Sequence, residues 1–226
     1  MTIRNREANA AGRLFLFLHF GRYHGSSRDS LRNAWGEYFV AYENADLILD
    51  GLDQVELLPY QAEAQFCALY GGESNDAVPD LRALGTAKLI LTKARDLDNT
   101  LGSYRDGLGS SLVEGIDVLS FKLEKALPSR PIKRLLVPIR IDALALMNDI
   151  ARAPLANTGA SYALLEHLRG VVRAIDLLKV VGPEGVETKS LALAKHVDVH
   201  LDLGGPRWEG FALRARLLAR RVATAL

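Results

Sequence analysis

The chain has 226 residues, and its composition of 49% hydrophobic and 24% charged residues excludes a disordered polypeptide and allows one large domain or two small ones. Its formal net charge of +1 excludes an overall electrostatic attraction to nucleic acid or acidic membranes, so such a partner requires a local patch. Cys67, the single cysteine, excludes an intramolecular disulfide; its apolar neighbours predict a buried thiol in a cytoplasmic protein.

Apolar residues recur every three or four positions up to about Val181, which predicts helices. Asp29 or Ser30 is suited to cap the second helix, and Pro59 to begin the third, because a helix start needs no backbone donor there. The glycine-rich stretch 102–109 predicts a turn or a weak helix. No apolar run approaches the roughly 18 residues of a membrane span. The predicted helices cover residues 6–23, 29–53, 59–71, 79–99, 110–126, 132–152, 160–180 and 207–226.

The hydrophobic period changes near the C-terminus. From Lys195 to Leu203 apolar and polar residues alternate strictly, which is typical of a half-buried strand. Residues 180–186 predict a strand, a turn at Gly182-Pro183-Glu184-Gly185, and another strand. We therefore expect a mainly α fold, a multi-helix antiparallel bundle with a small β element near residues 180–203.

The two prolines at positions 128 and 131 are the best internal boundary in the chain. We expect residues 1–127 to form a helical bundle. Residues 132–226 then form a helical lobe that contains the β element and a basic C-terminal helix. One continuous domain is the alternative.

That last helix is the leading candidate for partner binding. Residues 207–226 contain five arginines and one glutamate, a local balance of +4, beside an apolar side. The predicted contact residues are Arg214, Arg216, Arg220 and Arg221. They predict a protein partner or self-association, with nucleic acid as a further partner class.

A winged-helix nucleic-acid-binding protein is the first alternative. Helix 160–180, the turn after Gly182 and the strand that begins at Lys195 have the outline of that module, in which a helix enters the major groove. Acidic residues dilute its charge, and no pair of short helices precedes it. The basic residues nearest this outline are Arg169, Arg173, Lys179, Lys189 and Lys195.

A small all-helical enzyme is the second alternative. Arg13 and His19, six positions apart, resemble the Arg-x4-6-His motif of helical HEPN ribonucleases, which implies metal-free cleavage of RNA. Here the intervening residues are all apolar, whereas those proteins commonly carry a polar residue next to the arginine.

Metal-dependent chemistry is the other enzymatic hypothesis. Asp46 and Asp50 belong to an acidic face with the spacing that holds magnesium in diphosphate-processing helical enzymes, which usually need a second acidic helix. His196 and His200 are too distant to share an ion, because on a strand they lie about 13 Å apart.

No convergent set of polar residues accompanies these patterns. We therefore expect a non-catalytic cytoplasmic interaction or regulatory protein, with no cofactor, that binds its partner through helical faces and the basic C-terminal helix.

Overall fold

The computed structural model describes residues 6–41, 44–70, 78–126, 133–153, 158–200 and 205–226. The predicted helical fold is confirmed, and these ranges separate into two compact units, residues 1–129 and 130–226. Within these ranges the regular elements are helices, and the β pairing is one isolated bridge between Ser30 and Thr100. The helices are α1 Ala10–Tyr23, α2 Leu31–Phe39, α3 Ala45–Tyr70, α4 Val78–Leu91, α5 Leu101–Gly107, α6 Ser110–Ala126, α7 Lys133–Arg152, α8 Thr158–Asp176, α9 Leu178–His200 and α10 Gly205–Ala225.

The N-terminal unit is an antiparallel bundle of its four long helices, α1, α3, α4 and α6, each in contact with at least two of the others. Ion pairs mark the antiparallel order: Lys88 of α4 with Glu63 of α3, and Lys122 of α6 with Asp80 of α4, each at 2.6 Å. Their inward faces bury aliphatic and aromatic side chains, and this burial drives the association. Examples are Leu14, Phe17, Ile48, Leu52, Leu58, Leu84, Ile116 and Leu119.

The two short helices of this unit begin at paired loops. The hydroxyl of Ser30 accepts a hydrogen bond from the first turn of α2, and that of Thr100 does the same for α5. The backbone N–H of Leu31 donates to Asn99, and that of Leu101 donates to Asp29, at 2.8 and 2.9 Å. Each loop therefore satisfies the backbone groups of the other.

The helix boundaries predicted around Asp53 and Pro59 are wrong. Helix α2 ends at Phe39, where Val40 adopts a left-handed conformation, and α3 then continues through Pro59 to Tyr70. A proline inside a helix costs about 3 kcal/mol. Burying one aliphatic side chain stabilises the fold by about 1.5–3 kcal/mol, and both Val55 and Leu58 are fully buried beside this proline. Because their burial offsets the cost of the proline, the helix continues.

Helices α7 to α10 form a second antiparallel four-helix bundle, in which α7 also contacts α10. Arg140 of α7 pairs with Asp176 of α8 at 2.5 Å, and Arg214 of α10 pairs with Asp149 of α7 at 2.8 Å. The core of this unit includes Leu136, Ile139, Leu146, Leu164, Leu168, Val186, Leu193, Val197, Trp208 and Val222.

The predicted β element near residues 180–203 is wrong for its described part, since residues up to His200 are helical; residues 201–203 lie outside the described ranges. Gly182, with φ 68° and ψ 179°, kinks α9, and Pro183 begins the helical run that follows. Buried positions recur after four, three and four residues, at Val186, Ser190, Leu193 and Val197. Because Val199 is 65% exposed, the local alternation did not reflect burial.

Candidate partner-binding groove

Three of the four arginines predicted to bind a partner form ion pairs with aspartates of the same unit. Arg214 pairs with Asp149, Arg221 with Asp142, and Arg216 with Asp198. Pairs as exposed as these contribute less than about 1 kcal/mol each to stability, but they neutralise much of the charge on α10. Arg220 is exposed and has no ion-pair partner among the described residues.

Arg220 lies on a groove of about 400 Å³ between α9 and α10. The floor is made of small or buried residues, and the hydroxyl of Ser190 donates to the carbonyl of Ala219 at 3.1 Å, which joins the two helices. The ion pair of Asp198 and Arg216 lies at one end. The lining residues are Glu187, Ser190, Leu191, Ala194 and Asp198 from α9, and Arg216, Ala219, Arg220, Val222 and Ala223 from α10.

The groove presents both unpaired charge and apolar surface. Like Arg220, Glu187 has no ion-pair partner in the described part of the chain. Leu191 is 62% exposed and supplies apolar surface on the α9 side of the groove. The sequence singled out Arg220 but missed Glu187 and the alanines, whose small side chains acquire a role only when α9 and α10 lie side by side.

The structure does not bring Arg13 and His19 together. Both lie on α1, where six residues correspond to about 240° of rotation, so they face different directions. Arg13 is fully buried and donates to the carbonyl of Glu7 at 3.3 Å, whereas His19 is exposed between the rings of Phe15 and Tyr23. This arrangement provides no shared surface for a substrate.

The acidic face that carries Asp46 and Asp50 lies on α3. Asp46 is exposed and Asp50 is half-buried, and Asp53 in the next turn is held by Arg95 at 2.5 Å. Within the described ranges no group of three or more His, Cys, Asp or Glu side chains stands ready to hold a metal ion. Cys67 is half-buried, not buried as its neighbours predicted.

Three histidines form a row that the sequence did not reveal. Because α9 is helical, His196 and His200 are one turn apart, with ring centres at 4.6 Å instead of the 13 Å expected for a strand. His167 of α8 lies on the other side of His196, at 4.8 Å. Burial, and then the neighbouring imidazoles, lower the pKa of His196 from its usual 6.5.

No similarity to a known protein bears on these sites. The chain matches no family model, and neither curated proteins nor solved structures show a significant match to it. None of the helices in the described part of the chain combines the length and the apolarity needed to cross a bilayer.

Proposed function

We propose that the chain is a non-catalytic cytoplasmic interaction or regulatory protein that binds an amphipathic helix of a partner protein in the groove between α9 and α10. The observation that carries this proposal is the groove itself, where Arg220 and Glu187 lack ion-pair partners among the described residues beside exposed Leu191. Helix-in-groove recognition uses such a surface, with apolar residues of the partner on the floor and charges at the edges.

The pairing of the other arginines favours a protein partner over nucleic acid. Phosphate backbones are bound by several uncompensated cations, and affinity rises with the number of phosphates neutralised. On α10, Arg214, Arg216 and Arg221 already face aspartates. The winged-helix alternative further requires a hairpin after Gly182, where the described chain is helical.

A partner helix has a defined set of contacts here. The small residues Ala194, Ala219 and Ala223 allow its backbone to approach closely, and Leu191 covers its apolar face. A carboxylate on the partner pairs with Arg220. A second copy of the chain also carries such helices, and the experiment below distinguishes it from a different protein by the mass of the product.

Site-specific photo-crosslinking in cells tests this proposal. A photoreactive phenylalanine analogue is placed at position 191, and the control carries it at position 162, because Tyr162 of α8 is similarly exposed but lies outside the groove. We expect a discrete adduct from position 191 and none from position 162. Adding Arg220→Glu reduces that adduct by charge reversal.

The products of the crosslinking also identify the partner. A product of twice the chain mass means that the bound helix belongs to a second copy, and any other discrete mass means a different protein. Absence of an adduct at position 191, or the same adducts from positions 191 and 162, contradicts the proposal.

A further inference from the structure

The row formed by His167, His196 and His200 is the most chemically specific cluster outside the groove. The rings are contributed by two helices, with neighbouring ring centres 4.8 and 4.6 Å apart and planes tilted by 39° and 60°. All three side chains are half-buried. Close approach of three ionisable rings is unfavourable whenever more than one of them is a positively charged imidazolium.

The ring nitrogens of this row are incompletely satisfied. Nε2 of His196 and Nδ1 of His200 are buried without a hydrogen-bond partner. His196 makes a hydrogen bond with the backbone of Ala160, so it uses its other nitrogen, Nδ1. A histidine that donates one ring N–H to a backbone carbonyl and keeps the lone pair of the other nitrogen free has the arrangement common among metal ligands.

The spacing of the rings suits a shared ion. Zinc lies about 2.0 Å from a ligating imidazole nitrogen, which places it roughly 3.2 Å from the ring centre. Two imidazoles at a tetrahedral angle then have centres about 5 Å apart. The observed 4.8 and 4.6 Å of the two neighbouring pairs are close to this value. No ring contact joins the described side chains of His167 and His200, so these two outer rings must turn towards a common point for one ion to bind all three.

The orientations of the rings differ from those of a filled site. As the side chains stand, no three potential ligands in the described ranges are arranged to hold an ion. His167 makes no hydrogen bond or ion pair among the described residues, so no such contact opposes rotation of its ring about the side-chain torsions. A bound ion would select the rotamers that direct the nitrogens at one point.

From this geometry we propose that His167, His196 and His200 form a binding site for a divalent transition-metal ion, zinc by preference, between α8 and α9. Neutral imidazole is a preferred ligand of zinc, copper and nickel, and three such ligands leave a fourth position for water or for a group of a partner. The site joins two neighbouring helices of the bundle, so occupancy stabilises the C-terminal unit by mass action.

Zinc titration of the full chain tests the proposal. The protein is stripped with EDTA, dialysed and titrated with zinc chloride in a calorimeter. We expect one equivalent to bind, and His167→Gln, His196→Gln and His200→Gln each to weaken binding more than about tenfold. Glutamine keeps a polar side chain, and circular dichroism verifies that each variant is folded.

His19→Gln is the matched control, because His19 is an exposed histidine of α1 with ring contacts only. Zinc binding equal in the wild type and in His196→Gln overturns the proposal, as does its absence from the wild type. An equal loss in His19→Gln also overturns it. Arg220→Glu is expected to leave zinc binding unchanged, so this result is independent of the groove.

Cobalt gives a second readout that reports geometry. Co²⁺ in a four-coordinate nitrogen site absorbs visible light far more strongly than the hexaaqua ion, and we expect such bands on titration of the wild type. The bands are lost in His196→Gln and retained in His19→Gln. A spectrum identical to that of aqueous cobalt contradicts the assigned three-histidine coordination.

Discussion

Val40 is held in a backbone conformation that a β-branched residue rarely adopts. It ends α2 with φ 55° and ψ 40°, and its N–H is directed at the carbonyls of Gly36 and Glu37. Left-handed geometry costs an L-residue about 1–2 kcal/mol, and most for a branched side chain. Since Val40 is 69% exposed, its side chain returns little of this through packing.

We therefore expect Val40→Gly to stabilise the N-terminal unit. Removing about 2 kcal/mol of strain is offset by roughly 0.5–1 kcal/mol of additional chain entropy in the unfolded state. Loss of the partly buried methyl groups removes about 0.5 kcal/mol more. The net gain is about 0.5–1 kcal/mol, equivalent to a rise in Tm of roughly 2–5 °C for a unit of this size.

Urea and thermal unfolding followed by circular dichroism measure this effect. The matched control is Val118→Gly, the same substitution at a 54% exposed position inside α6, where glycine is unfavourable. We expect a lower urea midpoint for Val118→Gly and a higher one for Val40→Gly, with unchanged slopes. The strain argument is refuted if both substitutions shift the midpoint in the same direction.

Three further predictions concern other positions. Gly12→Ala is expected to destabilise the N-terminal unit by more than about 2 kcal/mol in urea unfolding, because the Cβ of the alanine would lie 1.9 Å from the carbonyl oxygen of Arg6. A urea midpoint equal to that of the wild type would contradict this close approach. Trp208→Phe removes the indole N–H that donates to the carbonyl of His200 at 2.6 Å, so we expect the free energy of unfolding to fall by about 1–3 kcal/mol in the same assay. An unchanged free energy of unfolding would show that this hydrogen bond contributes nothing. In EDTA-treated protein the lowered pKa of His196 leaves the free energy of unfolding at its full value above pH 6.5 and reduces it as the pH falls below that value. We expect His196→Gln to flatten this pH dependence. An unchanged pH profile in that variant would assign the dependence to other groups.

The helices of the chain were largely predictable, because burial follows a period that the sequence displays. Helix α6 matches its predicted limits at residues 110 and 126, and Ser30 caps α2 as one of the two predicted candidates. The continuation of α3 through Pro59 could not be predicted in this way. Whether a proline ends a helix depends on how much apolar surface its neighbours bury, and that quantity belongs to the packed core.

The error after Lys195 has the same origin. Over nine residues an alternating pattern and a helical pattern share several positions, and the distinguishing fact was that Val197 is buried while Val199 is exposed. The 13 Å separation expected for His196 and His200 applied only to a strand, so it does not hold in the helix. The histidine row therefore became visible only once the segment was known to be helical.

The sequence alone determined the helical class of the protein, the positions of most helices and the concentration of arginines on α10, since all of these depend on residue type and local spacing. Only the tertiary structure decided which charges remain available. Asp142, Asp149 and Asp198 are distant from the arginines in sequence, yet they neutralise three of the four, whereas Arg220 lines the groove without an ion pair among the described residues. Ion pairing and shared coordination depend on distances between helices, and those distances are fixed only when the cores pack.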